Sequence, residues 1–131
     1  EQLWFKDNYP NSYIIGTEIS DTAYQFEMTI QHDFAKPKDE WIGKADIVYS
    51  NSFDHSIDPQ ATIETWRDQL KDDGTIYLEY SERDSVCTSV DCLDATQNEI
   101  INLISKNNLK VKEIFKGSKT SNVLVCQKTN D

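Results

Sequence analysis

The stretch ADIVYSNSFDHSIDP, Ala45 to Pro59, decides how the chain is read. Its first part, ADIVYS, is a short run of apolar and β-branched residues of strand length. It then turns abruptly polar at Asn51, Asp54 and His55, and closes on Asp58 and Pro59, a helix N-cap followed by proline at the first helical position. An apolar strand that runs into a polar cluster and then a helix predicts one unit of a parallel α/β sheet, with the cluster at the strand's carboxyl end. The other reading of the same residues is a plain connecting loop.

The neighbouring segments extend the pattern in both directions. Downstream, ATIETWRDQL sets Ile63, Trp66 and Leu70 on one helical stripe, KDDG ends that helix, and TIYLEYSE reads as the next strand. A polar loop from Arg83 to Asp94 leads to a helix over ATQNEIINLISKNN with Ile100, Leu103 and Ile104 on its apolar face. KVKEIFKG and NVLVCQK flank the turn GSKTS and predict an antiparallel hairpin. Upstream, MTIQHDF reads as a strand with Met28, Ile30 and His32 on one face. SYIIGTEIS reads as a buried strand ending at Gly16 to Glu18, and Ser20 or Asp21 caps a short helix through Tyr24 and Phe26. Glu1 to Asn8 reads as the last turns of a helix that Pro10 halts. Strands alternating with helices predict a Rossmann-like, mainly parallel sheet with helices on both faces and an antiparallel C-terminal hairpin.

Composition narrows the class. A chain of 131 residues without repeats or a Pro/Gly/Ser linker predicts a single domain over residues 1–131. No apolar run is long enough to cross a bilayer, so no membrane association is expected. The chain opens on Glu1 with no basic-then-apolar leader, which reads as a processed start or a piece of something longer. Cys87, Cys92 and Cys126 are an odd set without zinc-knuckle spacing, and read as reduced thiols of a cytoplasmic protein. The net charge of −10 is uneven: residues 1–95 hold 7 basic against 20 acidic side chains, and residues 96–131 hold 6 against 3. Such an acidic surface repels phosphate backbones and argues against a nucleic-acid partner.

In open parallel sheets, ligands bind beyond the carboxyl ends of the strands. Glu18, Asp33, Asn51, Asp54, His55 and Glu82 all follow predicted strands. Glu18 reads either as a carboxylate that accepts both hydroxyls of a ribose or as a cap for the short helix after it. Asp33 reads either as an acceptor for an exocyclic adenine amine, with the Phe34 amide serving a ring nitrogen, or as a solvated turn residue. His55 reads either as a loop histidine or as a base with a pKa suited to neutral pH.

The series GTEIS, HDF, ADIVYSNSFDHSIDP, a helix, LKDDGTIYLEYSE and a terminal hairpin resembles the class I S-adenosylmethionine-dependent methyltransferases. The resemblance spans nearly the whole chain, carried by the order of individually weak motifs. It implies S-adenosylmethionine as cofactor, held by Glu18 and Ile19 at the ribose, Asp33 and Phe34 at the adenine, and Asn51 and Ser52 beside the methyl donor. It implies Asp54 or His55 as proton acceptor, with no metal; the methyl acceptor itself is not named, and the acidic charge favours a small molecule over nucleic acid.

One departure stands out. The family's first strand and its glycine-rich loop have no counterpart, since Gly16, Gly43, Gly74 and Gly117 are widely scattered. The strands of YIIGTE and ADIVYS, which would flank that strand, are then expected to pair directly, to take a strand from another chain as in a homo-oligomer, or to repack. The competing functional readings are a non-catalytic binding or scaffold module of the same fold and a dehydrogenase remnant.

Overall fold

The computed structural model describes residues 2–18, 21–25, 28–51, 53, 58–81, 96–117 and 121–129. In chain order these form α1 (Gln2–Asn8), β1 (Gly16–Glu18), a 3-10 helix (Asp21–Gln25), β2 (Thr29–Gln31), a second 3-10 helix (Asp39–Trp41), β3 (Ala45–Ser50), α2 (Pro59–Gln69), β4 (Leu70–Tyr80), α3 (Gln97–Lys106), β5 (Leu109–Lys116) and β6 (Asn122–Lys128). This is the mixed α/β architecture that the sequence periodicities predict.

Local chemistry fixes the helix starts. The Asp58 carboxylate accepts from the Ala61 amide at 3.0 Å, and the Thr62 hydroxyl donates to the Asp58 carbonyl at 3.0 Å. The Thr96 hydroxyl accepts from the Glu99 amide at 3.2 Å and opens α3 in the same way. Each such cap satisfies a backbone donor that the helix itself leaves without a partner. The two helices bury Ile63, Trp66, Ile100 and Ile104 against one face of the sheet, where Ile76, Leu78 and Tyr80 of β4, Leu109 of β5, and Leu124 and Cys126 of β6 complete the core.

Strand alternation puts Thr75, Tyr77 and Glu79 of β4 on the opposite face, half-buried. Tyr49 sits beside Tyr77 in register on that face, and the Phe5 ring of α1 meets it with centroids 5.7 Å apart. Helices therefore lie on both faces, α2 and α3 on one and α1 on the other.

Among the described residues the strands form two sheets. β1 pairs in parallel with β2, and the second sheet has the order β3-β4-β6-β5. The β3–β4 pair is parallel, while β4–β6 and the β5–β6 hairpin are antiparallel. Direct pairing of β1 with β3, one of the expected outcomes, does not occur: β1 finds its partner in β2 and β3 in β4.

Four local expectations are corrected. ADIVYS is not a fully buried strand, because Asp46 and Ile47 are exposed and only Ser50 is buried. SYIIG is extended but becomes a strand only at Gly16, with Tyr13 exposed and Ile14 and Ile15 half-buried. Met28 and His32 lie outside β2, since Met28 has φ of 54° and the strand ends at Gln31. Finally, KDDG does not separate helix from strand: α2 gives way directly to β4 at Leu70. The turn-forming tendency of KDDG survives as a register shift, with Leu70 opposite Ala45 but Thr75 opposite Ile47.

Candidate functional site

The candidate residues lie at or after the ends of β1, β2 and β3 in the sequence. In the parallel β1–β2 pair, Glu18 is in register with Gln31, so Glu18 and Asp33 occupy the same end of that pair. The Glu18 side chain, and the whole of Ile19, Ser52, Asp54, His55 and Glu82, lie outside the described residues.

Asp33 opens a tight turn. Its Oδ1 accepts from the Ala35 amide at 3.0 Å, its carbonyl accepts from the Lys36 amide at 3.0 Å, and His32 Nε2 donates to the Lys36 carbonyl at 2.9 Å. An aspartate bonded to its own backbone two residues on is a standard turn device, so the turn reading of Asp33 is realised in the geometry. It does not compete with a binding role for the second carboxylate oxygen, because a carboxylate has several acceptor sites.

This turn is fastened to α2 from two directions. The Thr65 hydroxyl donates to the Ala35 carbonyl at 3.0 Å, and the Phe34 ring meets Trp66 edge to face with centroids 5.6 Å apart. Phe53, fully buried two residues after Asn51, also meets the Trp66 indole, at 5.8 Å. The segments leaving β2 and β3 thus converge on one ring. Asp33 lies just before one contact and the exposed Asn51 just before the other, at the rim of the core.

Two features had little signal in the sequence. Thr65 is a buried hydroxyl within an apolar helix face, and a polar residue in that position is the only hint that it holds a neighbouring loop. Near the carboxyl end of β4, the Glu79 carboxylate accepts from the Tyr49 hydroxyl at 3.2 Å and from the Ser121 hydroxyl at 2.7 Å. That arrangement joins β3, β4 and the approach to β6 and depends wholly on strand pairing.

A cavity of about 330 Å³ opens between the start of α2 and α3, lined by residues that include Phe53, Pro59, Ile100, Leu103 and Lys106. It shares Phe53 with the rim, and among the described residues neither Asp33 nor Asn51 lines it. Among the described residues no group of three His, Cys, Asp or Glu side chains is placed to hold a metal ion, and no helix is long and apolar enough to cross a membrane. Cys126 is buried and free, and burial pushes its thiol pKa up to about 12. Cys87 and Cys92 lie outside the described residues.

No family model matches the sequence, and no curated protein does. Solved structures do. The 1,6-didemethyltoxoflavin-N1-methyltransferase of Burkholderia thailandensis, with 1,6-didemethyltoxoflavin and S-adenosylhomocysteine bound, superposes with a TM-score of 0.77 at 10% identity, over 98% of this chain and 65% of that one. The fold is that of the class I S-adenosylmethionine-dependent methyltransferases. A second example is CalO1, a methyltransferase of calicheamicin biosynthesis in its S-adenosylhomocysteine-bound form, with a TM-score of 0.72 at 9% identity over 95% of this chain and 44% of that one. A pericyclic reaction enzyme shares the methyltransferase fold too, with a TM-score of 0.74 at 10% identity over 97% of this chain and 39% of that one. The chain therefore spans less than two thirds of the length of each of these structures. At such low identity only the fold is held in common.

Proposed function

We propose that the chain is the adenosyl-binding part of an S-adenosylmethionine-dependent methyltransferase with a small-molecule acceptor. The observation that carries this reading is the convergence on Trp66, which gathers the tails of β2 and β3 at one rim beyond the strand ends. That is where ligands bind in parallel α/β sheets. The superposition on a structure holding S-adenosylhomocysteine supports it.

The residues present suit the adenosine half of the cofactor. The half-buried Asp33 carboxylate, held in its turn, accepts from an exocyclic amine while the Phe34 amide donates to a ring nitrogen, and the Phe34–Trp66 contact keeps both in place. Glu18, with Ile19 beside it, takes the ribose hydroxyls, since a carboxylate accepts from both. Asn51 and Ser52 line the donor pocket through their backbone. For the methionine end, the four scattered glycines provide no cradle. Bound S-adenosylmethionine would supply an electrophilic methyl group. The chain's own residues hold the reactants in line and exclude water, and alignment of this kind contributes on the order of 7–11 kcal/mol. Asp54 or His55 accepts the proton of the attacking oxygen or nitrogen.

In this reading the protein is cytoplasmic, with the buried free Cys126 in keeping with reduced thiols. Assembly into a homo-oligomer is one way to complete the sheet. The second reading, a non-catalytic binding module, is favoured by one observation: the glycines at 16, 43, 74 and 117 form no cradle for the methionine end that carries the methyl group, and the fold alone does not fix methyl transfer.

Calorimetric titration with S-adenosylmethionine tests the proposal. We expect saturable binding that Glu18→Ala weakens by about tenfold or more, the loss of hydrogen bonds to a charged group. Absence of heat at millimolar ligand would refute cofactor binding. Saturable binding without methyl transfer to any small nucleophile would favour the second reading.

A further inference from the structure

β5 closes the sheet on the side away from β3, pairing with β6 alone among the described residues. Its register with β6 shifts between Val111 and Glu113 and then runs unbroken from Glu113 to Lys116. Near the start of the strand, Leu109 is buried and Val111 packs on the core, whereas farther on Ile114 and Phe115 are 42% and 45% exposed. These two side chains point to opposite faces. Ile114 lies opposite Leu124, on the core face that α2 and α3 cover, and Phe115 lies opposite Val123, on the face of Glu79. A flat apolar surface reaches one of them but not both. An extended chain laid along the outer edge of β5 reaches both, because its own side chains alternate between the same two faces.

Charge selects the occupant. Lys110, Lys112 and Lys116 are exposed along this strand, against the single carboxylate of Glu113, and among the described residues none of the three lysines is ion-paired. They belong to the basic part of an acidic chain, residues 96–131, with 6 basic against 3 acidic side chains. Lysines and a bulge on an outer strand keep like edges apart. A second copy brings the same lysines and is repelled, whereas an acidic strand is drawn in. We propose that the outer edge of β5 accepts a strand from another polypeptide, an extended apolar segment with acidic residues at its ends, which pairs by backbone from Glu113 to Lys116 and covers Ile114 and Phe115. Strand addition of this kind takes affinity from main-chain hydrogen bonds and selectivity from the side chains that flank them.

Amide hydrogen exchange across residues 113–116 tests the proposal. The probe is a short peptide of alternating valine and threonine with a pair of glutamates at each end. Exchange in that segment should slow by about tenfold or more at saturating peptide, and the affinity should fall as salt is raised. Lys110→Glu, Lys112→Glu and Lys116→Glu combined should abolish this protection and confer it on a lysine-ended peptide, with unchanged circular dichroism. Four results would overturn the proposal: no slowing with the glutamate-ended peptide, equal slowing of the native protein by the lysine-ended peptide, equal slowing by a glutamate-ended peptide that is N-methylated throughout and so has no amide to donate, or protection without peptide that grows with protein concentration and so reports a second copy.

Discussion

The Phe34 ring stands edge to face on Trp66, with centroids 5.6 Å apart and planes at 87°. That geometry suits the quadrupoles of two aromatic rings, and it ties the turn after β2 to the middle of α2. Because Phe53 meets the same indole, Trp66 is the point at which two strand tails and a helix share one contact.

Trp66→Ala should therefore do more than open a cavity. A loss of about 3–5 kcal/mol is expected for a core tryptophan, read from urea unfolding. Phe34→Ala is the more informative change. It should leave α2 and its caps in place but release the Asp33 turn, and so weaken S-adenosylmethionine binding by a larger factor than Asp58→Ala. Asp58→Ala costs only the helix cap, about 1 kcal/mol of stability. Equal effects of the two variants on affinity, measured by calorimetry, would show that the turn plays no part in binding.

Gly74 sits where β4 shifts register. A β-carbon there would lie 2.8 Å from Leu70 Cδ2, 2.9 Å from the Ala45 carbonyl oxygen and 3.1 Å from the Lys71 carbonyl oxygen. Two of these neighbours are backbone atoms and cannot step aside. Gly74→Ala should destabilise the protein by about 1–3 kcal/mol in denaturant titration. Gly43 offers a contrast, because no atom lies within 4 Å of its would-be β-carbon but its φ is +67°. Gly43→Ala should cost about 1–2 kcal/mol through backbone conformation alone, and Gly43→Asn less.

Cys126 gives the fold an alkaline limit. Burial raises its thiol from the ordinary value of 9.0 to about 12. The unfolded chain loses this proton first, so Cys126 contributes stability that is fully present below pH 9 and is lost as pH rises toward 12. Cys126→Ala should flatten that part of the stability profile in unfolding experiments between these two values. The native thiol should also resist alkylation at pH 8 until the protein is unfolded.

The sequence by itself determined the elements whose causes are local. Asp58 and Pro59 start α2 and Thr96 starts α3, while the periodicity of Ile63 and Trp66 and of Ile100 and Ile104 sets the faces they bury. The hairpin of β5 and β6 follows from two strand-forming runs around a short turn. The order of these signals was enough to indicate a methyltransferase fold, and it put Asp33 and Asn51 after their strands. Tertiary structure alone decided which strands meet. That β1 pairs with β2, that β3 pairs with β4 and leaves Ile47 exposed, and that Glu79 gathers hydroxyls from Tyr49 and Ser121 all depend on contacts between residues far apart in the chain. Short-range propensity cannot report such contacts, because pairing depends on which edges remain free once every other segment has been placed. The meeting of Phe34 and Phe53 on Trp66 has the same origin: each aromatic residue is legible as apolar, but only the folded chain shows that they share a ring.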